Sequence, residues 1–126
     1  MSNTYRDLIA WQKAMDLAQE IYAITSAFPV DERYGLISQM RRCAVSIASD
    51  IAEGQGRLTT RDWQHFLSQA RGSTHELETQ LLLSRRLKFG EVSRLDHGLQ
   101  STEEVGRIIN GLLNSTRSRA DRKSFA

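Results

Sequence analysis

Cysteine is nearly absent: Cys43 stands alone. No internal disulfide can close, and a reducing, cytoplasmic setting is expected. Proline is equally scarce, with Pro29 its single instance, and runs of β-branched residues are missing, so helix is favoured over sheet. No segment approaches the ~20 consecutive apolar residues of a membrane span, which removes the membrane as an expected partner. The opening MSNTYRDLIAW meets an acidic residue early and has no apolar stretch of signal-peptide kind. A large charge excess is lacking too, since the net charge is +2. That balance is uneven: residues 1–60 hold 6 basic and 7 acidic side chains, residues 61–126 hold 11 and 8. Such weak basicity permits a nucleic-acid or acidic partner without demanding one. The plainer expectation for most of these charges is a solvated face.

What is present is helical periodicity. The chain has 126 residues, 40% hydrophobic and 25% charged, enough for one domain with a modest core. Its centre is Gln39 to Arg57, QMRRCAVSIASDIAEGQGR. Met40, Ala44, Ile47 and Ile51 recur at steps of three and four behind Leu36, and Cys43, Val45 and Ala48 widen the stripe. The small residues Ala44, Ser46, Ala48, Ser49 and Ala52 invite close helix packing. Gly54 and Gly56 are read as left-handed caps that end this helix.

Three more helices follow from the same reasoning. The first spans Tyr5 or Asp7 to Ser26, with Leu8, Trp11, Met15, Ala18 and Tyr22 as its main row and Ala14, Ile21 and Thr25 beside it, and stops before Pro29. Asp31 is placed to cap the second helix. Thr59-Thr60-Arg61-Asp62 opens the third with a capping signal, and its row runs Trp63, Phe66, Leu67, Ala70, Ser73, Leu77, Leu81, Ser84, Leu87. Gly72 falls within that helix, which suggests a backbone pressed against it, and Gly90 supplies its stop. The fourth covers Glu91 to Thr116 through Val92, Leu95, Leu99, Thr102, Val105, Ile109 and Leu113. The fold class expected is all-α, an antiparallel up-and-down four-helix bundle over residues 1–116, followed by a basic, disordered tail at 117–126. Ile9, Ile24, Leu82 and Leu83 fall outside the main rows. Leu81, Leu82 and Leu83 cannot all face one core, so part of the triplet must be exposed or covered by another copy.

Catalytic and metal motifs are missing. His65, His75 and His97 are preceded three residues earlier by Asp62, Gly72 and Arg94, so the Glu-x-x-His of di-iron bundles does not occur. One cysteine and scattered histidines supply no zinc set, and no phosphate-binding glycine loop is present. No cofactor is expected. Asp50 and Glu53 share a helix face and offer one acid–base candidate. The stronger reading is a structural polar network of Ser46, Asp50, Glu53, Arg71, Ser73 and Glu76, with Arg71 or Arg42 placed to bridge the carboxylates. Arg41-Arg42, Arg85-Arg86, the corner residues Arg57 and Arg61 near Trp63, and Arg117 and Arg119 in the tail are the candidates for gripping nucleic acid by charge and stacking.

Taken in order, these motifs resemble a known family. Leu8-x-x-Trp11-x-x-Ala14, Ile21-Tyr22, Phe28-Pro29, Tyr34-Gly35-Leu36, Gln39-Met40-Arg41-Arg42, Ser46-Ile47, Ile51-Ala52-Glu53-Gly54 and Arg57 form one block. Phe66-Leu67, Ala70-Arg71-Gly72-Ser73 and Glu76-Leu77-Glu78-x-Gln80-Leu81 form a second. Both are similar to the bacterial four-helix-bundle proteins first noticed as reading frames in intervening sequences of large-subunit rRNA genes. These are related to the accessory variability determinant of diversity-generating retroelements. The chain departs from that pattern at Asp50, where the family has asparagine, and at Cys43, where alanine is common. The resemblance implies a cyclic homo-oligomer, typically a pentamer. It also implies a binding or assembly role, with RNA or a reverse transcriptase as partner, rather than catalysis. The alternative expectation is a structural or protein-interaction module that touches no nucleic acid.

Overall fold

Thr4 opens the first turn with a reciprocal cap. Its hydroxyl accepts from the Arg6 amide at 3.2 Å, and the Asp7 carboxylate accepts from the Thr4 amide at 3.3 Å. This computed structural model describes the backbone of residues 4–124 and the side chains of residues 4–117. After a short turn at Tyr5–Asp7 come α1 (Ile9–Thr25), α2 (Ser38–Gln55), α3 (Thr60–Arg86) and α4 (Val92–Ser124). Among the described residues there is no strand. Helices adjacent in sequence pack side by side, and α4 returns to α1. The antiparallel register is marked by Ser46 against Ser73 and by Arg85 against Asp96. The all-α, up-and-down four-helix bundle is therefore the fold.

Pro29 ends the first helical segment as expected, and Phe28 packs against Phe89 at 5.7 Å. The second helix does not run straight from Asp31. A 3-10 turn at Val30–Glu32 leads into a wide turn at Arg33–Ile37, kinked at Gly35 (φ −107°, ψ −114°), before α2 begins. At the start of α3 the Thr59 hydroxyl accepts from the Asp62 amide at 3.1 Å, so the capping signal was sound.

The core is a single cluster in which Leu17, Ile21, Met40, Ile47, Ile51, Leu67, Leu77, Leu81, Leu95, Val105, Ile109 and Leu113 are almost fully enclosed. The buried hydroxyls of Thr25, Ser84, Thr102 and Thr116 donate to carbonyls of their own helices, which satisfies them without crossing the core.

Several sequence expectations are corrected. The buried face of α1 is Ala10, Ala14, Leu17, Ala18, Ile21, Ile24 and Thr25. Ala18 of the main row and the flanking Ala14, Ile21 and Thr25 are in the core as expected, but Met15 and Tyr22 are 46% and 47% exposed, so the stripe is centred on the flanking residues. Val45, Leu87 and Val92 are also exposed. Neither Gly54 nor Gly56 is left-handed; the positive-φ glycine is Gly90. Gly72 has open space around it rather than a neighbouring backbone. The fourth helix continues past Thr116 to Ser124, so the segment read as a disordered tail is helical over residues 117–124, and residues 125–126 lie outside the described residues. Ser115 through Ser124 contains neither glycine nor proline, and nothing there breaks the helix. Of the Leu81–Leu83 triplet, Leu81 is buried while Leu82 and Leu83 are 51% and 44% exposed.

Candidate functional site

The polar residues singled out between α2 and α3 meet only in part. Ser46 Oγ and Ser73 Oγ lie 3.1 Å apart, Ser46 donates to the Cys43 carbonyl at 2.7 Å, and the Cys43 thiol donates to the Ser73 carbonyl at 3.0 Å. Burial, reinforced by the negative charge of Glu76, pushes the Cys43 thiol up to about 12. A thiol held so is protonated at neutral pH and is a poor nucleophile. One turn along, Asp50 is partly buried beside Glu53 and His65. Burial first, and then the Glu53 charge, raise its carboxyl above the ordinary value, while His65 pulls the other way. Glu53 does not reach Arg71; it pairs at 2.8 Å with Arg57, four residues on in the corner just past the end of α2. Among the described residues neither Arg71 nor Arg42 forms an ion pair, so the expected arginine bridge is absent from this network. No group of three or more potential metal ligands is found among the described residues.

The arginines divide into sets. Arg41 is half-buried and committed to α1: its Nε donates to Thr25 Oγ1 at 2.9 Å, and its guanidinium lies 4.5 Å from the Tyr22 ring centroid. Arg85 pairs with Asp96 at 2.7 Å. Arg57, besides holding Glu53, sits 5.0 Å from the Phe66 ring. Arg42, Arg61, Arg86 and Arg117 are exposed and make no ion pair among the described residues. The side chain of Arg119 lies outside the described residues.

Their positions along the bundle differ as well. The α2–α3 corner, the start of α1 and the later part of α4 converge on one hollow lined by Leu8, Gly54, Arg57, Thr60, Trp63 and Leu112. Arg61 follows at the first turn of α3, and Arg117 lies roughly a turn and a half beyond Leu112. Arg57, Arg61 and Arg117 therefore share one end of the molecule. Arg85 and Arg86 sit at the opposite end, and Arg41 and Arg42 on the first half of α2. The expected set does not form one continuous groove.

A feature that the sequence rows missed lies between α1 and α2. Tyr5, Trp11, Met15, Tyr22 and Val45 wall a hollow of about 480 Å³ floored by Ala18, Ala48, Ser49 and Ala52. The run of small residues on α2 was the available signal: small side chains leave depth on the outer surface as readily as on the inner one.

No helix among the described residues is long and apolar enough to cross a membrane. No curated protein matches the chain significantly. A crystal structure of a protein of unknown function from the S23 ribosomal protein family of Bacteroides thetaiotaomicron is similar at a TM-score of 0.76. It has 16% identity, over 84% of this chain and 96% of that one, a likeness of fold. The family model described as 23S rRNA-intervening sequence protein matches residues 6–111. With both sequence blocks, all of α1 to α3 and the first twenty residues of α4 falling inside that span, the chain belongs to the 23S rRNA-intervening sequence protein family.

Proposed function

We propose that this protein is a non-catalytic, self-associating helical subunit that holds RNA, or an enzyme acting on nucleic acid, at the arginine-bearing end of its bundle. The observation that carries this reading is the shared end occupied by Arg57, Arg61 and Arg117. Two of these three guanidinium groups have no carboxylate partner among the described residues, and α4 carries further basic sequence beyond them. Helical rise gives α4, with 33 residues, a length of about 50 Å. That is about 9 Å more than the 27-residue α3 it packs against. Guanidinium groups left free in this way suit phosphate oxygens. The exposed leucines of α3 and the apolar hollow between α1 and α2 support self-association, and a cyclic arrangement such as a pentamer accords with the family resemblance. A single cysteine with no disulfide partner accords with a cytoplasmic setting.

The test is titration of a structured rRNA fragment against the protein at several salt concentrations. Affinity should fall as salt rises, with a log–log slope near one unit per phosphate contacted. Arg61→Glu and Arg117→Glu should each weaken binding and flatten the slope, whereas Arg42→Glu should leave both nearly unchanged. Binding that ignores salt would remove the electrostatic reading.

A second reading is a protein-interaction scaffold that touches no nucleic acid. It is favoured by the fact that Arg41, Arg57 and Arg85 are already engaged within the chain. Absence of RNA binding together with an intact oligomer would select it.

A further inference from the structure

The chain exposes apolar surface of two opposite shapes. One is the concave hollow between α1 and α2, where Met15, Tyr22 and Val45 are each between 42% and 47% exposed. The other is convex. Leu82, Leu83 and Leu87, each 44% to 51% exposed, surround Arg86 over the last turns of α3, because steps of three and four place 82, 83, 86 and 87 in one surface patch. A hollow of about 480 Å³ has room for two or three leucine side chains. Charge follows shape. Asp16 borders the hollow and Arg86 stands amid the leucines, and neither has an ion-pair partner among the described residues.

We infer that the hollow between α1 and α2 of one copy receives the Leu82–Leu83–Leu87 patch of a second copy, with Asp16 of the first paired to Arg86 of the second. This rests on the self-association proposed above and specifies its surfaces. It also fixes the kind of symmetry. The helix α3 lies diagonally across the bundle from α1, packed against α2 and α4, so hollow and patch point in well-separated directions. A two-fold axis cannot engage both between the same two copies. Each copy is instead donor to one neighbour and acceptor to another, the head-to-tail arrangement that generates a closed ring or a filament.

Complementation between two defective copies is the experiment. Leu83→Glu with Leu87→Glu disables the patch, and Met15→Glu disables the hollow; circular dichroism checks that both variants fold. By light scattering at micromolar concentration each variant alone should report the monomer mass of 14.3 kDa. Mixed in equal amounts, they should form a species of twice that mass and nothing larger, because each copy retains one complementary face. A charge swap needs no core residue. Asp16→Arg alone and Arg86→Asp alone should each weaken assembly at least several-fold, and the two together in one chain should restore it. Variants that keep the wild-type mass, or a mixture that stays monomeric, overturn the head-to-tail interface while leaving self-association intact. A wild-type chain that is itself monomeric overturns both.

Discussion

Gly54 shows how a single residue fixes the approach of two helices. Its backbone is ordinary right-handed helix, so the cap assigned to it from sequence is not its role. A β-carbon there would stand 2.6 Å from Phe66 Cβ and 2.8 Å from Trp63 Cε3, closer than packed atoms tolerate. Gly54→Ala gains up to about 1 kcal/mol of helix propensity, but it forces the α2–α3 corner open at a cost of about 1–3 kcal/mol. The net expectation is destabilisation, read as a lower urea midpoint. Gly72 is the contrast. It is exposed within α3 with nothing near it, so Gly72→Ala should raise the midpoint by the propensity term alone. From sequence the two glycines invited the opposite assignment, since Gly54 stands near a helix end and Gly72 in a helix middle. Spacing along one chain carries no information about what the next helix presents at that height.

At the scale of the element, helix identity was legible and rotation was not. In α1 a period near 3.6 links two adjacent rows about equally well. Large side chains drew the main row toward Trp11, Met15 and Tyr22, yet the core is centred on the flanking Ala14, Ile21 and Thr25 together with Ala10, Leu17 and Ala18. Alanine fills the seam because α1 must come close to α2 and α4, a packing demand made by other helices. The end of α3 was misplaced for a different reason. Lys88, not Gly90, is the left-handed residue that closes it, at φ 60°. The Phe89 amide donates to the Ser84 carbonyl at 3.0 Å and the Lys88 amide to the Arg85 carbonyl at 3.1 Å, the bond pattern of a Schellman ending. A lysine at that position carries a steric cost that glycine does not. Lys88→Gly should therefore stabilise the protein by about 0.5–1 kcal/mol, raise its thermal midpoint and slow amide exchange over the last turn of α3. A fall in the midpoint would mean that the lysine charge at the helix end outweighs the backbone cost.

For the whole molecule, the candidate arginines could be found in the sequence but their engagement could not. Arg57 and Arg85 are tied by carboxylates, the first to Glu53 near the end of the preceding helix and the second to Asp96 on the next helix, while Arg61, beside Asp62, stays free of an ion pair among the described residues. Electrostatics also couple distant seams to pH. His97 on α4 hydrogen-bonds Glu20 on α1 and has its pKa raised, chiefly by that bond and then by the Glu20 charge. Asp50 on α2 has its pKa raised by burial and by Glu53. In both cases the folded state holds its proton more tightly than the unfolded chain. Each contribution to stability is thus complete below the unfolded pKa and lost as pH rises through the folded one. For Asp50 that window opens near the ordinary value of 3.8 and for His97 near 6.5. Denaturant midpoints compared at each pH isolate the two groups from every other titration. Asp50→Asn should match the wild type in strong acid, exceed it increasingly as pH climbs from about 3.8 to the raised carboxyl value, and keep a constant lead above that, since the amide fills the same space without a charge to bury. His97→Gln should trail the wild type below pH 6.5 and draw level with it in alkali. A constant offset for either variant across the whole range would show that the side chain acts through packing alone, and that the α1–α4 and α2–α3 seams carry no proton-linked tension.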